Sequence, residues 1–207
     1  MRTLCSRPCG RWADRPASTQ AVPGALLRNL EYKTELRDPN LARLICKKIQ
    51  AARVGKIRQV DTYFNVARGR LKRREAVAVE RGVGSPEPIE YIFYERPDRV
   101  DSKLSEYHLY DQEQVKERFG TQPMPVWLEV VKTRELYLYK SARIHIDDVR
   151  ELGWFFEYEI VLSEDAEMEA ARELGEQLRT TFSPALGEPI ASSYSDLLAQ
   201  ANDLQTP

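Results

Sequence analysis

The chain has 207 residues, 42% of them hydrophobic and 30% charged, a composition of one globular domain of ordinary size rather than of a disordered chain. Its 31 basic and 32 acidic side chains leave a formal net charge of −1, which excludes a broad positive field acting on nucleic acid. No apolar run approaches the ~18 residues of a membrane-spanning helix, and Cys5, Cys9 and Cys46 make neither a disulfide framework nor a four-ligand zinc site, so free thiols in a cytoplasmic protein are expected, with no membrane partner.

Residues 1–28 differ from the rest, with five arginines against Asp14 alone and Pro8, Pro16 and Pro23 scattered among them. An organellar transit peptide is one reading. The prolines interrupt its amphipathic helix, so a disordered extension or a mis-assigned start fits better. A domain over residues 29–198 and a tail over 199–207 are expected to follow.

From Asn29 the pattern is regular. Leu30, Tyr32, Thr34 and Leu36 alternate with Asn29, Glu31, Lys33, Glu35 and Arg37, the period of two that predicts a strand. Asp38-Pro39 supplies an N-cap and a proline at the first helical position, and Leu41, Leu44, Ile45, Ile49 and Ala52 continue at helical spacing to a stop near Gly55. Strand-like runs follow at 57–66, 69–75, 90–96 and 104–110, with the polar, turn-rich segment 80–90 as a hairpin loop. Asp111 caps a short helix that ends at Phe119 before Gly120. Strands recur at 127–139, 142–148 and 154–162. Ser163, with Glu164 and Asp165 behind it, opens a long helix to about Thr181, and Ser193 caps a last short one. The order predicts an α+β fold with a large meandering antiparallel sheet.

The charges sort by strand face. Glu31 and Lys33 share one face of the first strand; Arg70, Lys72 and Arg74 share another; Lys132 and Arg134 a third; Arg143, His145 and Asp147 a fourth; Glu157 and Glu159 a fifth. A solvated antiparallel sheet also alternates polar with apolar residues, so each face taken alone fits that plain reading. The uneven sorting favours another, because the outer strands bring carboxylates and the middle ones mainly Lys and Arg, an arrangement suited to a metal-bound polyanion. Trp154, Phe156 and Tyr158 belong under the amphipathic helices, which turns Glu157 and Glu159 inward into a hydrophilic barrel lumen. His145 has two readings, assistance to proton transfer or a hydrogen-bonded structural histidine. No G-x-x-x-x-G-K-[ST] loop is present, which excludes a P-loop enzyme.

These residues resemble the CYTH domain family of triphosphate tunnel metalloenzymes. "NLEYK" is similar to its Glu-x-Glu-x-Lys signature, "GRLKRRE" to its basic strand, "VKTRELY" to its Lys-x-Arg strand, and "ARIHIDDVRELGWFFEYE" to its late Asp and Glu-x-Glu segment. "YFNVARGRLKRRE", "YERPD" and "SYSDLL" look most like the class IV adenylyl cyclase branch. The resemblance implies an eight-stranded antiparallel β-barrel, a tunnel with a charged lumen and helices packed outside. It implies Mg²⁺ or Mn²⁺ held by Glu31, Asp147, Glu157 and Glu159, and phosphate oxygens held by Lys33, Lys72, Arg74, Arg96, Lys132, Arg134 and Arg143. Glu31, Lys33 and Arg134 are the expected catalytic residues. Asn29 stands where the first signature glutamate belongs, and its amide can ligate a hard cation but brings no charge. The implied reaction is ATP to cyclic AMP and pyrophosphate; the alternatives are hydrolysis of inorganic tripolyphosphate or thiamine triphosphate to release orthophosphate, and a non-catalytic binder of phosphorylated ligands.

Overall fold

The computed structural model describes residues 26–79, 87–95, 101–162 and 167–204. The arginine-rich segment 1–25 therefore lies outside the described residues. Within them the order is β1 (Leu26–Leu36), α1 (Pro39–Lys48), β2 (Ala52–Phe64), β3 (Arg70–Ala78), β4 (Glu90–Glu95), β5 (Lys103–Tyr110), α2 (Gln112–Phe119), β6 (Val126–Tyr139), β7 (Ala142–Val149), β8 (Gly153–Leu162), α3 (Met168–Phe182), β9 (Leu186–Pro189) and α4 (Tyr194–Ala201).

All strand pairs are antiparallel, and β5-β4-β3-β2-β6-β7-β8-β1 closes on itself through β1–β5. Eight strands therefore form a barrel, which leaves no open edge along most of its length. One edge of β1 is divided between two partners: residues 26–31 pair with β5, and Thr34 and Leu36 pair with β9. The expected α+β tunnel is what the chain builds.

The period of two decides which side chains enter the barrel. Ile144, Ile146, Phe156, Tyr158 and Ile160 face outward and meet Ala42, Ile45 and Cys46 of α1 and Ala171, Leu174, Leu178 and Phe182 of α3. Burying such side chains is worth ~1.5–3 kcal/mol each, so the two helices fix the aromatic face of β8 outward. Their alternates, His145, Asp147, Glu157 and Glu159, are thereby turned into the lumen. α1 is capped as its sequence predicts, with Asp38 accepting from the backbone N–H groups of Asn40 and Leu41.

Several boundaries differ from the sequence pattern. β1 begins at Leu26, before the expected Asn29. α1 ends at Lys48 rather than near Gly55, because Gln50 at φ 59° turns the chain and β2 begins at Ala52. Gly55 instead marks a bulge between Arg53 and Gly55 in the β2–β6 ladder. The expected opening of the long helix at Ser163 lies outside the described residues, and α3 runs from Met168. β9 had no strand signature, since it is four residues long and contains glycine and proline. Glycine is needed there: a Cβ on Gly187 would stand 2.9 Å from the Glu35 Cβ.

Candidate active site

Strands β1, β7 and β8 form an acidic wall. Register places Glu31 opposite Glu159, Lys33 opposite Glu157, and His145 opposite Glu157 from the other side. The ligand atoms of His145, Glu157 and Glu159 lie within 4.8 Å of one another. His145 Nδ1 is 3.4 Å from Glu157 Oε2, and Lys33 Nζ is 3.6 Å from Glu157 Oε1. Burial alone would raise the Glu157 carboxyl; Lys33, His145 and Arg134 outweigh it and hold the group well below the usual carboxylate range. Glu157 is ionised at any working pH. The contact also shows His145 as a hydrogen-bonded histidine against a carboxylate.

Strands β2, β3 and β6 form a basic wall around one carboxylate. Asp61, only 1% exposed, accepts from Arg74 Nε and Nη2 at 2.7 Å each and from Lys72 Nζ at 3.0 Å, with Lys132 Nζ at 3.7 Å. Burial would raise its pKa, but Arg74, Lys72 and Lys132 hold it well below the ordinary value. Lys132 shows the opposite balance. Desolvation, then repulsion from Arg134 and Arg74, brings it down to about 7 despite Asp61 and Asp147.

Arg134 joins the walls. Its Nε and Nη2 donate to both oxygens of Asp147 at 2.7 and 2.6 Å, and Nη2 also donates to Glu157 at 2.8 Å. Such a fork is strong and directional. Asp147, at 0% exposure, also accepts from the Tyr194 hydroxyl at 3.0 Å. Asp147 thus stands in the Arg134 fork and is not one of the His145–Glu157–Glu159 group.

Helix α4 closes the basic end. Tyr194 enters the lumen against Phe155, with Lys33 Nζ 4.2 Å and Lys132 Nζ 5.1 Å from its ring centroid. Arg70 Nη2 donates to Asp196 at 2.9 Å, and Lys103 Nζ donates to the Ala191 carbonyl at 2.6 Å. At the other end Arg143 and Glu159 lie 3.9 Å apart, their side chains 27% and 21% exposed.

The expected site residues Glu31, Lys33, Lys72, Arg74, Lys132, Arg134, Arg143, Asp147, Glu157 and Glu159 all face this lumen. Arg96 lies outside the described residues. Two carboxylates with an imidazole suit a divalent ion such as Mg²⁺ or Mn²⁺. Asn29 adds a buried amide oxygen that has no hydrogen-bond donor among the described residues, so the donor set fits a hard cation. Three lumen residues were not anticipated. Asp61 is a lone acid in its strand, Lys103 opens β5 and lies 3.9 Å from Glu31, and Tyr194 follows an N-cap inside the "SYSDLL" motif, to which no site role was given. A signal for Asp61 did exist: its parity with Tyr63, two residues on, against the basic run of the next strand.

No described helix is long and apolar enough to cross a membrane. No curated protein matches the sequence closely enough to count as a relative. Among solved structures the chain is similar to the PH1012 protein of Pyrococcus horikoshii, with 18% identity, a TM-score of 0.61, and 82% of this chain and 98% of that one covered. It is similar to a Vibrio parahaemolyticus protein named as an adenylate cyclase candidate, with 14% identity, a TM-score of 0.60 and coverages of 83% and 97%. A third is HpAC1 of Hippeastrum, an adenylyl cyclase candidate described as having a dominant triphosphatase activity, with 13% identity, a TM-score of 0.55 and coverages of 86% and 98%. At these identities the likeness is one of fold. The model of the CYTH domain matches residues 27–186, most of the chain, and the chain belongs to the CYTH domain family, whose tunnel takes a triphosphate.

Proposed function

We propose that this protein is a cytoplasmic adenylate cyclase, converting ATP to cyclic AMP and pyrophosphate. The observation that carries this reading is the polarity of the tunnel. α4 packs across the end at which Tyr194 meets Lys33 and Lys132, while Glu159 and Arg143 stand at the other end. A nucleotide too bulky to pass α4 enters phosphates first. Its terminal phosphates then reach Lys72, Arg74 and Lys132, and its α-phosphorus halts beside Glu157 and Glu159.

In that pose the ribose 3′-hydroxyl attacks the α-phosphorus, its proton passing to solvent as the bond from the α-phosphorus to the bridging oxygen breaks, and the leaving pyrophosphate already lies among cations. Phosphoryl transfer of this kind needs positioning and charge stabilisation more than covalent help. Arg134, fixed by Asp147 and Glu157, presents its guanidinium without reorganisation. Lys33 lies between Glu157 and the Tyr194 ring, ready to reach a phosphate oxygen. Held by His145, Glu157 and Glu159 with Glu31 beside them, a divalent ion would supply neutralisation of phosphate charge.

A triphosphatase is the second reading, favoured by Lys132. With its pKa brought down to about 7 in the empty tunnel, this amine can take up a proton as phosphate binds and release it as phosphate leaves, and it lies at the depth where a terminal phosphorus would sit. Incubation with ATP and with inorganic tripolyphosphate, in Mg²⁺ or Mn²⁺, separates the two. Cyclic AMP with pyrophosphate is expected from ATP. Orthophosphate without cyclic AMP replaces the cyclase by the hydrolase, and no turnover of either substrate leaves a binding protein.

A further inference from the structure

Asp61 has no place in the chemistry above. It is buried on the wall where the proposed phosphate ligands stand, and among the described residues it faces only cations at contact distance and belongs to no group of acids that could share a metal. Its Oδ1 and Oδ2 take the Nε and Nη2 of Arg74, which is the geometry in which a guanidinium grips two phosphate oxygens. Of that guanidinium only Nη1 lies outside the fork. Lys72 and Lys132 converge on the same Oδ2, as ammonium groups do on a phosphate oxygen. One carboxylate thus receives three cations, each of which is a phosphate ligand in the triphosphate reading.

We propose that Asp61 is a resident counter-anion of the phosphate site. It stands in for a phosphate on the basic wall and thereby limits how firmly that wall holds a phosphate chain and its anionic product. The inference rests on the triphosphate reading but not on the choice between cyclase and hydrolase, since pyrophosphate and orthophosphate are both anions that must leave. With Asp61 in place, Arg74 meets the substrate with one edge already engaged, and the two ammonium groups divide their attraction between Asp61 and the phosphates. Without it, the fork and both ammonium groups turn to the ligand. Binding tightens, product lingers, and turnover slows. A carboxylate that merely tied β2 to β3 would have the opposite signature, because its loss would loosen the wall and weaken anion binding.

The test is Asp61→Asn, titrated by calorimetry with inorganic tripolyphosphate and with pyrophosphate in chelator, so that nothing turns over. Steady-state kinetics on ATP and tripolyphosphate with Mn²⁺ accompany the titration. Both dissociation constants are expected to fall about tenfold, the worth of roughly one added charge-assisted contact. KM and kcat should fall together, with stronger product inhibition. Unchanged or weaker binding in the variant overturns the role given to Asp61. Three clustered cations left without an anion can prevent folding, so Asp61→Asn/Lys132→Met, compared with Lys132→Met alone, asks the same of Lys72 and Arg74. Tighter binding is expected there too, and its absence overturns the proposal equally. A wild-type protein that binds neither anion, with or without Mn²⁺, removes the triphosphate reading itself. A wild type that binds, beside a variant that binds no tighter, removes only the counter-anion.

Discussion

Lys132 is the residue whose charge the tunnel controls most finely. Desolvation and the neighbouring Arg134 bring its pKa to about 7, whereas the unfolded chain binds that proton up to 10.5. Between those two values the unfolded state holds more protons, so the stability cost of this lysine is full below pH 7 and fades as pH rises through the window. Lys132→Met should therefore stabilise the protein more at pH 6 than at pH 10. A phosphate chain reverses the balance by favouring the charged amine. At pH 8, tripolyphosphate binding should take up as much as about one proton, read from calorimetry in buffers of different ionisation enthalpy. The uptake should vanish in Lys132→Met, and an uptake that survives it would assign the proton elsewhere. Arg134 carries a different kind of weight. Its fork is fixed by Asp147, so Arg134→Ala should lower turnover by about 10²–10³, the loss typical of one preorganised donor. Arg37, 66% exposed in a surface pair with Glu188, should matter little by the same assay.

At the scale of elements, the contact between α3 and β8 decides a sign that helix propensity alone gets wrong. Alanine is the better helix former by ~1 kcal/mol, yet a Cβ on Gly175 would stand 2.6 Å from the Tyr158 hydroxyl and 3.1 Å from its ring. That ring cannot retreat, being stacked on Tyr32 at 5.6 Å and bonded to Ser102 at 2.7 Å. Gly175→Ala should therefore destabilise by about 1–3 kcal/mol and cost clearly less in a Tyr158→Phe background; equal losses in both would show that the hydroxyl is not the obstacle. The strands and α1 were legible because their signals are local: alternation in β1, β7 and β8, and the Asp38-Pro39 cap. α4 was legible as a helix for the same reason, through its Ser193 cap, but its insertion into the barrel was not. That placement depends on where Tyr194 meets Asp147 and where Arg70 meets Asp196, pairs separated by 47 and 126 residues. Asp61 was missed on similar grounds. It lies opposite Arg74 only once β2 and β3 are in register, and its parity with Tyr63 gains meaning only against the basic face of that neighbouring strand.

Across the whole molecule, a net charge of −1 and a sequence pI near 6.2 coexist with a wall that gathers Lys72, Arg74 and Lys132. Attraction of a polyanion must then be a property of the lumen, not of the outer surface, because charges beyond roughly 8–10 Å are screened at ordinary salt. Strand order also keeps two functions on separate walls. The metal-capable side chains His145, Glu157 and Glu159 come from β7 and β8, with Glu31 on the adjoining β1. The cations proposed to grip phosphate, with Asp61, come from β2, β3 and β6, joined to the acids mainly through the Arg134 fork. Removal of divalent metal should therefore separate binding from turnover. With chelator, tripolyphosphate affinity should weaken by less than about tenfold, the equivalent of ~1.4 kcal/mol, since the cations that hold the chain are untouched. Turnover should fall below detection and return with excess Mn²⁺ or Mg²⁺. Glu157→Gln should reproduce the chelator phenotype at saturating metal, losing turnover while keeping most of the binding. If chelator abolished binding as completely as turnover, the phosphates would have to be held through the metal. The division of labour between the two walls would then be wrong.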